Sequence, residues 1–153
     1  MPSPCTYDYA IVRVVPNVER EEFVNAGVIV CCLSRGFLRA RIELDEARLR
    51  LLSPDADVAL IRTALNAIPT ICAGGKQAGA IGQLSPRQRF DWLVAPRSTS
   101  IQTSVAHAGR TEDPEVALER LLDRMVRAPR SAIDARKQFP SGQEIKFLDP
   151  NYG

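Results

Sequence analysis

The chain has 153 residues, 45% hydrophobic and 25% charged, with a formal net charge of +2. That length supports one domain with a substantial core, the composition excludes a disordered chain, and no apolar run is long enough to cross a bilayer. So weak a net charge gives no electrostatic argument for nucleic acid as a partner.

Met1-Pro2-Ser3-Pro4 has neither a basic flank nor an apolar h-region, so no signal peptide and a cytoplasmic address are expected. The four cysteines include no C-x-x-C pair, and His107 is the only histidine. Buried reduced thiols are expected, with no metal and no cofactor. Basic side chains are 17 Arg against 3 Lys. Guanidinium groups make planar two-point contacts with phosphate or carboxylate, although a GC-rich coding sequence raises Arg content in the same way.

Tyr7 to Val15 alternates and is rich in β-formers, which predicts the first strand. Tyr7, Tyr9, Ile11, Arg13 and Val15 share one of its faces. Arg13 therefore needs a partner, a ligand or a wet strand end. After Pro16 and an acidic connection, Phe23 to Cys32 is apolar on both faces, as in a central strand covered on each side. Gly27 within it predicts a bulge or close backbone approach, and Asn25 offers an amide either to a ligand or to a local turn. Ser34-Arg35-Gly36 predicts a hairpin turn into a third strand, Phe37 to Leu44. There Leu38, Ala40, Ile42 and Leu44 face inward, and Arg39, Arg41 and Glu43 form an outer row read as solvated.

Asp45 caps a predicted short helix, Glu46 to Leu52, and Ser53-Pro54 opens a longer one ending near Pro69. The segment Ala73 to Gly82 is glycine-rich but departs from the phosphate-loop pattern, with Thr at position 70 and Gln at 77. A flexible connection is expected, with a lid as the alternative. Ser85-Pro86 starts a helix that must stop before Pro96. The polar corner Arg97-Ser98-Thr99-Ser100 follows, then a predicted strand, Ile101 to His107, with Ile101, Thr103, Val105 and His107 on one face. Asp113-Pro114 starts the last helix, burying Val116, Leu118, Leu121, Leu122, Met125 and Val126. From Arg120 to Lys137 there are six basic residues against two acidic. Beyond Pro129 the periodicity fails, which predicts a C-terminal arm over 129–153 after a single domain over 1–128.

Tyr7 to Pro16 (YDYAIVRVVP) and Glu21 to Val28 (EEFVNAGV) resemble the opening signature of the bacterial domain-of-unknown-function family 3037. Ile81-Gly82, Arg89-Phe90, Leu93 to Thr99 (LVAPRST) and Gln102 resemble its second block. The likeness covers about Tyr7 to Arg127 and implies no activity, substrate or cofactor. Members of that family occur beside HipA-like kinases, so the resemblance implies a partner of that class as an expectation.

Together these readings predict an α+β domain with a mostly antiparallel sheet of about four strands packed against helices. The favoured function is a non-catalytic binding or regulatory module. Arg13, Asn25, Arg97, Ser98, Thr99, Gln102 and His107 are its candidate ligand-binding residues, holding a phosphate, a carboxylate or an acidic partner segment. That requires Arg13 and Arg97 to converge on one concavity. The alternative is a hydrolase or nuclease-type enzyme with Ser98 or His107 near Asp91 or Asp8, for which no nucleophile-elbow pattern is present. A third reading makes the corner architectural, with Arg97 bonded to the last carbonyls of the preceding helix. Homo-oligomerisation through the last helix or the arm is an open alternative.

Overall fold

Cys5–Val14, dense in β-branched and aromatic residues, forms β1, the longest strand. The computed structural model describes residues 3–129. Along one side β1 pairs antiparallel with β2 (Val24–Cys32), which turns through Gly36, at φ 58°, into β3 (Phe37–Ile42). Along its other side β1 pairs with two short strands in succession. β4 (Ile101–Thr103) lies beside Val12–Val14, and β5 (His107–Thr111) lies beside Cys5–Tyr9. The chain therefore adopts the expected α+β architecture with an antiparallel sheet, having five strands among the described residues rather than about four.

The additional strand comes from a break at Ser104. Thr103 stands opposite Val12 and His107 opposite Tyr9, so one side carries an extra residue. The Ser104 N–H donates to the Ile11 carbonyl at 2.8 Å, and its Oγ accepts the Ile11 N–H at 2.9 Å. Those two bonds keep the ladder closed across the break. An inserted residue reverses the alternation of side chains. Thr103 consequently shares a face with Val12, while His107 shares the opposite face with Tyr9. The expected continuous strand, with His107 on the Thr103 face, is corrected accordingly.

Helices cover both faces. α1 (Glu46–Leu52), α2 (Val58–Ala73) and α3 (Pro86–Val94) contribute Leu49, Leu65, Ile68, Phe90 and Leu93 to a core with Val12, Val14, Ile29 and Cys31. On the other face α4 (Pro114–Met125) packs Leu118, Leu121 and Leu122 against Val28 and Val30. β2 is thus covered on each side, as its continuous apolar run requires. The caps at Asp45, Ser85 and Asp113 form as the sequence predicts, Ser85 with a reciprocal capping box to Gln88.

Several local expectations are corrected. α2 is capped by Asp57 rather than Ser53 and runs through Pro69 to Ala73. Pro69 removes one backbone donor, but Leu65, Ile68 and Cys72 are buried on either side of it, and their packing carries the helix onward. The glycine-rich segment is ordered into two short 3-10 turns, tied by Gly75 N–H to the Gly82 carbonyl at 3.1 Å. β3 ends at Ile42, and its outer charges are not simply solvated. Arg39 pairs with Glu115 at 2.7 Å, Arg41 with Glu119, and Glu43 with Arg127 at 3.1 Å, all reaching α4 or its end. Val116 is exposed on α4 rather than buried. The predicted arm lies outside the described residues, apart from its first residue, Pro129. No helix among the described residues is long and apolar enough to cross a membrane.

Candidate functional site

Near the C-terminal end of β1, Val12 opposes Gly27 but Arg13 opposes Asn25, so Ala26 is the bulged residue. Gly27 is required there by close approach: an added Cβ would stand 2.7 Å from the Arg41 carbonyl oxygen. The bulge sets three polar residues in a row across the sheet, Gln102 on β4, Arg13 on β1 and Asn25 on β2. Paired residues of adjacent strands share a face, so this row lies on the α4 side, past the end of that helix.

Asn25 donates from Nδ2 to the Met125 carbonyl at 2.9 Å and so holds the end of α4. That long-range role is neither of the two read from the sequence. Arg13 lays its guanidinium over the Phe23 ring at 4.3 Å. It makes no hydrogen bond or ion pair among the described residues, and its Nε is buried without an acceptor, as is the Asn25 Oδ1. Most arginines of the surface are spoken for by carboxylates or carbonyls. Arg13 is half-buried and is not.

The corner after α3 meets this row. Pro96 ends α3 as expected, leaving its last carbonyls open. Arg97 turns back on them, donating from Nη1 to Leu93 at 2.9 Å and from Nη2 to Trp92 at 2.6 Å, and stacking over the Trp92 ring at 4.4 Å. Thr99 Oγ1 donates to the Ile101 carbonyl, and Gln102 Nε2 donates to the Thr99 carbonyl, each at 2.9 Å. The architectural reading of the corner therefore describes what these groups do within the chain. Two of the five N–H bonds of Arg97 are occupied in this way, which leaves three for other acceptors.

Arg13, Arg97, Ser98 and Gln102 line one cavity of about 380 Å³, rimmed by Glu21 and Phe23. Four of the seven residues singled out from the sequence thus meet in one concavity, and the two guanidinium groups share it. Thr99 faces a neighbouring groove instead. Asn25 stands beside Arg13 with its amide turned to α4. His107 is remote from the corner, exposed at the start of β5 with its ring 5.3 Å from that of Tyr9. The rim residues Glu21 and Phe23 were invisible as site residues, because an acidic connection gives no spacing signal. Glu21 is held at φ 57°, an uncommon conformation for a residue with a side chain.

The enzyme alternative receives a different geometry. Asp8 and Asp91 both pair with Arg87, at 2.6 and 3.1 Å, and no ion pair joins His107 to a carboxylate among the described residues. A larger concavity, about 740 Å³, lies at the other end of β1, lined by Cys5, Asp8, Cys31, Arg35 and Arg87. All four thiols are free and buried. Burial pushes the thiol of Cys31 up to about 11 and that of Cys72 up to about 12, so neither is a nucleophile near neutral pH. Among the described residues no cluster of His, Cys, Asp and Glu has the makings of a metal site.

A family model described as "Protein of unknown function (DUF3037)" matches residues 9–126. No curated protein and no solved structure matches the chain.

Proposed function

The chain belongs to the DUF3037 family, and on that footing we propose that it is a non-catalytic binding module whose ligand presents an anionic group to the Arg13–Arg97 cavity. The observation that carries this reading is the state of Arg13. A half-buried guanidinium with a buried, unsatisfied Nε–H costs folding free energy, on the order of 1–3 kcal/mol for such a donor. A carboxylate or phosphate oxygen at that position removes the cost and gains a charge-assisted bond. Ser98 adds a hydroxyl to the same cavity, and Arg97, already fixed by its carbonyl bonds, adds donors with little further loss of side-chain freedom.

The test is titration of isotope-labelled protein with inorganic phosphate and with succinate, following the Arg13 Nε–H resonance. Saturable shifts at Arg13 and at the Ser98 and Gln102 amides are expected, and Arg13→Ala removes them. Glu21→Gln takes a negative charge from the rim and strengthens binding at low ionic strength. Identical titrations of the wild type and Arg13→Ala overturn the proposal.

A further inference from the structure

We propose that the outer edge of β4 accepts an extended peptide segment of alternating apolar and acidic residues, supplied by a partner protein, as an added strand. The inference rests on the anion-binding reading of the Arg13 cavity and extends it to a ligand class. β4 ends the sheet on this half of β1, and no strand among the described residues pairs with its outer edge. The Val15 N–H donates to the Ser100 carbonyl at 2.7 Å, and the Ser104 N–H donates to the Ile11 carbonyl at 2.8 Å. In an antiparallel ladder the residues turned toward the partner alternate with those turned away. Ser100, Gln102 and Ser104 therefore face β1, while Ile101 and Thr103 direct their N–H and C=O groups outward. The Ile101 carbonyl already accepts from Thr99 Oγ1 and keeps one lone pair for an added strand. Sheet edges are commonly guarded by brevity, charge, proline, a bulge or a covering element. Ile101-Gln102-Thr103 has neither a charge nor a proline. Its guards are its length of three residues and the register break that follows it, so an added segment pairs over those three residues alone.

The two sides of that edge differ chemically. On the α2–α3 side lies a groove of about 420 Å³ lined mainly by apolar side chains, among them Leu60, Ala64, Ile68, Trp92 and Ile101. Leu60 is 66% exposed and Trp92 40%, so the groove has apolar surface left to cover. On the opposite side lies the cavity of Arg13, Arg97 and Ser98. Arg97 and Gln102 line both, so the two concavities meet at β4 itself. Successive residues of a strand point to opposite faces. Every second side chain of an added segment, those opposite Ile101 and Thr103, enters the apolar groove. The intervening side chains point toward the two guanidinium groups, where charge complementarity selects Asp or Glu. Backbone bonds along an edge with side-chain pockets on alternate faces are the general form of strand-addition recognition.

The experiment uses the full chain and a fluorescein-labelled octapeptide alternating leucine and glutamate, read by fluorescence anisotropy. A block peptide of the same composition, four leucines then four glutamates, is the control. Thr103→Pro deletes an outward N–H that β1 does not use, and Leu60→Glu places a charge in the groove at an exposed position. The expected result is saturable binding of the alternating peptide, at least tenfold weaker for the block peptide, for Thr103→Pro and for Leu60→Glu. Circular dichroism shows whether Thr103→Pro folds, and Leu60→Glu carries the test if it does not. Equal binding of both peptides, or unchanged binding by folded Thr103→Pro, overturns strand addition while leaving phosphate binding at Arg13 standing. Loss of any Arg13→Ala effect on phosphate overturns the parent reading and this one with it. Self-association of the wild type that Thr103→Pro abolishes without peptide makes a second copy the occupant and overturns the partner segment.

Discussion

Replacing Arg97 by alanine should destabilise the protein, whereas replacing Arg13 should not, although both line the same cavity. Arg97 makes two charge-assisted bonds to the last carbonyls of α3, the one to Leu93 partly buried and the one to Trp92 exposed, and it stacks on an indole ring. A partly buried bond of this kind contributes about 1 kcal/mol, an exposed one a few tenths, and exposed cation–π stacking about 0.5 kcal/mol. Arg97→Ala should therefore cost about 1.5–2 kcal/mol, or about 5–8 °C in melting temperature for a domain of this size. Arg13 has only its stacking on Phe23 to lose, and its removal also deletes a buried donor that has no acceptor. Relief of the unsatisfied donor, about 1–3 kcal/mol, outweighs about 0.5 kcal/mol of lost stacking, so Arg13→Ala should be neutral or stabilising. Urea unfolding with linear extrapolation measures both, and an unchanged m-value shows that the comparison is of native states. If Arg13→Ala costs as much as Arg97→Ala, Arg13 is a structural residue and the assignment of roles is wrong.

Gly27→Ala should cost more than 2 kcal/mol and prevent the β2–β3 pairing from closing, because the added methyl meets a backbone carbonyl and the Ile42 side chain. Chemical denaturation measures it, and a neutral effect would contradict the close approach. Ser104→Ala strands the Ile11 N–H and should cost about 1–3 kcal/mol. Hydrogen exchange should show the Ile11 amide losing protection while those of β2 keep theirs. Burial holds Cys31 and Cys72 protonated, at about 11 and about 12 against an ordinary 9.0, so the folded state binds these protons more tightly than the unfolded one. Their stabilisation is complete below about pH 9 and is lost as the pH rises toward 12. Cys72→Ala should flatten that alkaline decline, and an unchanged slope between pH 9 and 11 would show that the thiol is not the group responsible.

Much of this architecture was legible in the sequence wherever a local rule suffices. Alternation marked β1 and β3, an unbroken apolar run marked β2, the capping residues Asp45, Ser85 and Asp113 opened α1, α3 and α4, and Pro96 closed α3. Where a long-range contact competes with a local preference, the local signal failed. Pro69 would end an isolated helix, but flanking side chains in the core carry α2 past it. Alternation from Ile101 to His107 suggested one strand, and only the pairing with β1, Thr103 opposite Val12 but His107 opposite Tyr9, reveals the inserted residue that turns His107 to the other face. The outer row of β3 looked solvated until α4 laid its carboxylates across it.

The candidate site divides in the same way. Alternation singled out Arg13 as a charge on an apolar strand face, and Pro96 marked off the polar corner that holds Arg97 and Ser98, with Gln102 on the strand after it. Their convergence depends on β4 pairing with β1 across nearly ninety intervening residues, a contact that no local pattern encodes. The rim supplied by Glu21 and Phe23, and the groove beside Trp92, exist only because separate elements stop short of one another. A sequence carries the preferences of neighbours along the chain, and the distances between strangers are decided when burial of the common core outweighs them.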